Sequence, residues 1–122
     1  MSISGAESRI MEALWRRSPL TAEEIVAEVA GPQRWSEATV KSLINRLLTK
    51  GAIEAEKAGR RYLYRPQVDR GAYVSQESRG LLDRLFDGRI APLVSHFSKT
   101  NQLSSEDVAE LKRLIAELDD DR

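Results

Sequence analysis

The chain has no cysteine, which removes disulfides, thiolate metal sites and thiol-based redox sensing in one step. Histidine occurs once, at His96, and one imidazole makes a histidine metal cluster or a Ser/His/Asp hydrolase hard to build. Apolar runs extend over only a few residues, no apolar leader follows Met1, and nothing is long enough to cross a bilayer. A cytoplasmic protein without membrane contact is therefore expected. Four prolines and seven glycines leave little room for low complexity, so disorder is expected only at the ends. There is no glycine-rich phosphate loop, no HExxH and no paired carboxylates in an apolar setting. Nothing positive points to an enzyme, and no cofactor or metal is expected.

What is present, 41% hydrophobic and 31% charged residues over 122 positions, fits a helical protein of one domain or two very small ones. The net charge of zero conceals an asymmetry. Residues 1–70 hold 12 Lys and Arg against 9 Asp and Glu, whereas residues 71–122 hold 7 against 10. Within residues 34–65 the balance is 8 against 3, a local field that would draw in a polyanion. Charge-rich surfaces also occur on proteins with no partner at all, so the pattern beneath the charge has to decide.

Residues 35–51 carry that pattern. Val40, Leu43, Ile44, Leu47 and Leu48 fall at i, i+3, i+4, i+7 and i+8, one buried stripe of a helix. Ser36 is its expected N-cap, and Gly51 stands just past its end, where a left-handed residue closes a helix. The opposite face carries Thr39, Lys41, Ser42, Asn45, Arg46 and Lys50, with Glu37 the only acid. Short hydrogen-bonding groups mixed with cations suit base edges between two rows of phosphates, although a plain solvated face has the same composition.

Two short helices are expected ahead of it. Ser4 to Glu7 and Thr21 to Glu24 both have capping-box spacing. The first helix turns Ile10, Ala13, Leu14 and Trp15 inward and ends at Ser18-Pro19; the second buries Ile25, Val26 and Val29 and is stopped by Gly31-Pro32. After Gly51 the period changes to two. Ile53, Ala55, Tyr62 and Tyr64 alternate with charged residues around Ala58-Gly59, a β-hairpin ended by Pro66. Leu20 is placed to add a minor third strand. Three helices followed by a basic-tipped hairpin make a winged helix-turn-helix, with the third helix in the major groove and Lys57, Arg60 and Arg61 reaching phosphates from the wing. Tyr62 and Tyr64 are expected to pack on the third helix; Tyr62 is kept among the candidate DNA contacts because an aromatic there could also stack on a sugar or base. The rival reading is a winged helix used as a protein-interaction module, since a fold does not dictate its ligand. Such a module would expose apolar groups where Lys41, Asn45 and Arg46 stand.

Residues 71–122 are helical but organised differently. Val74, Leu81, Leu82, Leu85 and Phe86 lie along a fourth helix broken by Gly88. Ile90, Leu93, Val94 and Phe97 make a short fifth, and a sixth starts at Ser104 or Ser105. That last helix carries Val108, Leu111, Leu114, Ile115 and Leu118 and runs into the acidic tail Asp119-Asp120-Asp121. So small a unit cannot enclose this much apolar surface. A second copy is the expected cover, packing back onto the winged helix the alternative. The expectation is a mainly α protein with a winged-helix DNA-binding domain at 1–70 and a three-helix dimerisation domain at 71–122.

These residues together resemble the penicillinase repressors of the BlaI/MecI type. The likeness runs from about Ile3 to Leu118 and is carried by Trp35-Ser36, by residues 39–47, by Lys50-Gly51, and by Tyr62 and Tyr64 of the wing. The second half matches in residues 85–88, in residues 93–97, in Leu103-Ser104 and in Glu110-Leu111. The resemblance implies a homodimer bound to inverted-repeat operator DNA, with Thr39, Lys41, Ser42 and Arg46 facing the bases. Lys41 stands where arginine is usual, and an ammonium offers a point charge in place of a planar fork. The family is relieved by a sensor metalloprotease system that leads to cutting of an Asn-Phe bond. Here that bond would be His96-Phe97, with the phenylalanine kept and the asparagine not. A lone histidine on a helix also has an ordinary structural reading. The copper-responsive branch, with its cysteine-rich metal site, is excluded.

Overall fold

The computed structural model describes residues 2–120. In chain order it comprises α1 (Gly5–Arg16), α2 (Ala22–Gln33), α3 (Glu37–Lys50), β1 (Ile53–Ala58), β2 (Arg61–Pro66), α4 (Arg70–Leu85), α5 (Ile90–Lys99) and α6 (Ser105–Asp120). The chain is mainly helical: three helices and a hairpin form a winged helix-turn-helix, and three further helices follow. It packs as two compact units that divide within α4, one up to Val74 and one from Ser75.

Local chemistry sets the helix starts. Ser4 accepts the Glu7 amide while Glu7 accepts the Ser4 amide, and Thr21 and Glu24 do the same for α2. Ser36 caps α3 by accepting the Thr39 amide, and Gly51 ends it at φ 78°. Each cap contributes roughly 0.5–2 kcal/mol. One expected stop is not where the sequence placed it: α2 runs through Gly31 and Pro32 to Gln33 and closes on Arg34 at φ 57°. Glycine before the proline has no Cβ to clash with the pyrrolidine ring, and the missing amide falls in the last turn, where one bond is lost at little cost.

The core of the first unit gathers Ile10, Met11, Ala13 and Leu14 of α1, Ile25 and Val29 of α2, Val40, Leu43, Ile44 and Leu47 of α3, with Leu20, Ala52 and Ile53. Val26, Trp15 and Leu48, expected inside, sit at its margin. Trp15 donates its indole N–H to the Val68 carbonyl at 2.8 Å and lies 5.5 Å from the Tyr73 ring, which ties the first turn of α4 to α1. That turn starts earlier than the apolar pattern suggested, because the Asp69 carboxylate accepts the Ala72 amide as a cap.

The hairpin pairs Ile53 with Pro66 through Ala58 with Arg61. Its two-residue turn is Gly59-Arg60, one position beyond the expected Ala58-Gly59, with Gly59 at φ 66°. Leu20 supplies the minor third strand, exchanging both backbone hydrogen bonds with Tyr64 at 3.1 and 2.8 Å.

In the second unit α4 closes with Gly88 at φ 74°, whose amide reaches the Leu82 carbonyl. Phe86 lies against His96, with ring centroids 6.3 Å apart. Ser104 caps α6 by accepting the Asp107 amide. Leu93, Val94, Phe97, Leu103 and Leu111 line an apolar groove between α5 and α6. Leu82, counted among the dimer-forming residues, is already buried within the chain, and Phe86, Leu93 and Leu111 are half-buried. Leu81, Leu85, Ile90, Phe97, Val108, Leu114, Ile115 and Leu118 remain exposed. Asp119 and Asp120 belong to the end of α6; Asp121 lies outside the described residues.

Candidate nucleic-acid interface

The outer face of α3 is mainly polar. Thr39, Lys41, Ser42, Asn45 and Arg46 are all exposed, while Val40, Leu43, Ile44 and Leu47 hold the helix on the core. A shallow depression of about 290 Å³ on this face is lined by Ala38, Thr39, Ser42, Leu43 and Arg46. On its other flank Lys41 and Asn45 border a smaller hollow with Ala22, Ile44 and Tyr64. The face therefore has two edges, one carrying Thr39 and Arg46 and the other Lys41.

The two cations on that face differ in what they do in the isolated chain. Lys41 reaches back one turn to Glu37 at 2.9 Å. That hydrogen bond, with the Glu37 charge behind it, raises the lysine pKa and holds the ammonium charged. Arg46 forms no ion pair among the described residues, so its five donors are available to a ligand. At the helix start Ser36 and Thr39 are partly occupied by each other, their hydroxyls 3.0 Å apart.

The wing presents the second set. Lys57 stands opposite Tyr62 on one side of the hairpin, and Arg60 and Arg61 sit at its turn. None of these three cations is in an ion pair among the described residues. Arg61 is still near Glu24, whose carboxyl is held below its ordinary value first by the Thr21 amide and hydroxyl and lastly by Arg17 and Arg61. Arg65 is taken by Glu56 across the hairpin. Tyr62 is 49% exposed, so the expectation that it packs on α3 fails. It pairs with Lys57 near the turn, two residues farther out than Tyr64, which bonds to Leu20 and meets the core. A short hairpin can bury only its base.

Lys50, expected on the same wet face, is placed otherwise. Its ammonium contacts the Glu7 carboxylate at 2.5 Å and the Ser2 carbonyl at 2.8 Å. Ala38 was missed in the opposite sense. It is an exposed residue of the outer face of α3, and the signal for it was available: positions 38, 42, 45 and 49 share one face of a helix.

An amphipathic helix with a polar outer face, seated on two capped helices beside a cation-tipped hairpin, defines the winged helix-turn-helix class of regulators. The Penicillinase repressor family model matches residues 3–117. The penicillinase repressor of Bacillus licheniformis is 32% identical over 115 residues, covering 94% of this chain and 90% of that protein. The methicillin resistance regulatory protein MecI of Mammaliicoccus sciuri is 27% identical over 113 residues, covering 93% and 92%. Among solved structures, the monomeric form of B. licheniformis BlaI in complex with the blaP half-operator superposes with a TM-score of 0.54 at 33% identity, over 60% of this chain and 89% of that one. The chain belongs to the penicillinase repressor family, whose members are repressors and not enzymes. No helix among the described residues is long and apolar enough to cross a membrane.

Proposed function

We propose that the protein is a dimeric, sequence-specific repressor that blocks a promoter by occupying an inverted-repeat operator in the cytoplasm. The observation that carries this reading is the exposed polar face of α3 together with three wing cations that have no ion-pair partner among the described residues, in a chain related to a repressor solved on its half-operator. Thr39, Lys41, Ser42, Asn45 and Arg46 enter the major groove and read base edges. Ser36, Lys57, Arg60, Arg61 and Tyr62 contact the sugar-phosphate backbone, which sets register and supplies most of the salt-dependent affinity. Lys50 is left out of this set because its ammonium is paired with Glu7. Repression requires no chemistry from the protein, only residence on the DNA.

Residues 1–70 act as the DNA-binding domain and residues 71–122 as the dimerisation domain. The support for a second copy is the apolar surface that the helices of the second unit leave uncovered, Leu85 at 63% and Ile90 at 65% exposed among it. Relief by a sensor metalloprotease system would act at the His96-Phe97 bond. That bond lies in α5, and the His96 carbonyl accepts the Thr100 amide at 3.2 Å, so the last turn must unwind before a protease can reach it. Incubation with the cognate sensor system should then yield a fragment beginning at Phe97; an intact chain under restored transcription would exclude that route.

Selection of operators from random duplex DNA at stated salt, followed by footprinting, tests the main reading. Two symmetric half-sites at fixed spacing are expected. Deleting one should weaken binding far more than a single mismatch, which costs roughly 1–3 kcal/mol. Equal affinity for both probes would exclude a dimer on two half-sites, and no enrichment of any sequence would exclude sequence-specific recognition.

A further inference from the structure

Glu7 is the one charged residue in the core of the first unit among the described residues, 1% exposed, and DNA reading makes no direct use of it. Its Oε1 accepts the Ser4 amide at 2.9 Å and the Lys50 ammonium at 2.5 Å, and the same ammonium donates to the Ser2 carbonyl at 2.8 Å. Lys50 is the last residue of α3, next to the Gly51 cap. A carboxylate that caps α1 is thus also the anchor for the far end of the helix whose outer face is offered to DNA. Burial pushes the Glu7 carboxyl upward, but the hydrogen bonds from Lys50 and Ser4 outweigh it and the pKa is lowered, so the pair is ionised at neutral pH.

We propose that Glu7 and Lys50 are positioning residues for operator reading: the pair fixes the C-terminal end of α3 against α1 so that the bases are met in register. The inference rests on the DNA-reading role assigned to α3 above. Fourteen residues of helix span about 21 Å. At one end the Ser36 cap accepts an amide of α3 itself, the Thr39 N–H, and so sets where the helix starts. Between the ends, Val40, Leu43, Ile44 and Leu47 fix which face is inward, but apolar packing is non-directional and tolerates small shifts and tilts. The charge-assisted bond from Lys50 is directional and short, and removing either partner leaves the other poorly satisfied. Hydrogen bonds to base edges weaken steeply with misalignment, whereas attraction to phosphates does so slowly. Loosening this end should therefore reduce discrimination between sequences while leaving general affinity for DNA in place.

This separates the pair from a direct phosphate contact by Lys50. The full-length protein with Lys50→Met, with Glu7→Gln and with both is titrated against the selected operator and against a scrambled duplex of equal length, across a salt series. Each single substitution should lower the operator-to-scrambled ratio about tenfold, equivalent to weakening one bidentate base contact. The salt slope on the scrambled duplex should not change, the double variant should be no worse than either single one, and Lys50→Arg should restore most of the ratio. Glu7→Asp keeps the charge but shortens its reach by one methylene; it should move the ratio the same way and serves where a neutral variant does not fold. Ratios like wild type in both singles overturn the proposal. So does a uniform loss on both duplexes with the slope reduced by about one, the signature of a phosphate contact. If wild type itself fails to prefer any operator, the DNA-reading role falls first and this one with it.

Discussion

Replacing Ile115 with serine separates a dimer from a monomer more cleanly than changing Leu82 or Leu111. Ile115 lies on α6 with 57% of its surface exposed, so the protomer's own packing depends on it little. Isoleucine and serine have similar helix propensity, and α6 should persist. Fully burying an isoleucine is worth roughly 1.5–3 kcal/mol. A second copy that covers the exposed 57% would then contribute roughly 1–1.7 kcal/mol per protomer through this side chain. A two-fold interface counts each substitution twice, so the variant should lose about 2–3 kcal/mol, a rise in dimer dissociation constant of roughly 30- to 150-fold. Leu82 would mix dimer loss with unfolding because it is already buried, and Leu111 shares that fault in part because it lines the groove under α5. Sedimentation equilibrium over a concentration series, with far-UV circular dichroism as a check on helix content, measures the effect. A dissociation constant within about twofold of wild type, the usual scatter between independent sites, would refute the assignment of this face to the dimer.

Three further outcomes follow from the same geometry. Arg60→Gln with Arg61→Gln should weaken binding to every duplex and reduce the salt slope by about one to two units; an unchanged slope in a salt titration would mean the wing does not touch phosphate. Leu47→Ala removes a side chain with no exposed surface and should cost about 2–5 kcal/mol in a urea melt, whereas a cost below about 1 kcal/mol would show that α3 is seated some other way. The lowered pKa of Glu7 means that the unfolded chain takes up that proton first, so its contribution is complete above the ordinary value of 4.5 and is lost as pH falls through the lowered one. Denaturant melts at a series of acid pH values should show a shallower decline in Glu7→Gln than in wild type; parallel curves would contradict it.

Much of the first unit was legible because its signals are short. Capping boxes at Ser4 and Thr21, the Ser36 cap and the left-handed Gly51 each involve residues three or four apart, and all take the positions their spacing implies. The inward stripe of α3 and the presence of a hairpin with a glycine turn are local in the same sense, although the turn itself falls one position later than expected. The errors lie where a local rule met a compensating neighbour or a longer reach. Gly31 lets Pro32 stay in the helix, and Asp69 starts α4 ahead of any apolar residue. Tyr62 and Tyr64 share one alternation, but only Tyr64 is near enough to the base of the hairpin to be covered.

By itself the amino-acid order determined where the first three helices begin and where α3 ends, which face of α3 is apolar, and that the second half carries more apolar surface than three short helices can hide. Family membership was readable there too, because motifs in both halves occur in register. Tertiary structure decided which cations are available. Lys41, Arg46 and Lys50 stand on one polar face in the sequence, yet one is bound to Glu37, one has no ion pair among the described residues, and one is bound to Glu7. The physical reason is distance along the chain. Glu7 and Lys50 are 43 positions apart, and no periodicity of 3.6 or 2 reports a contact that exists only after α1 and α3 have packed.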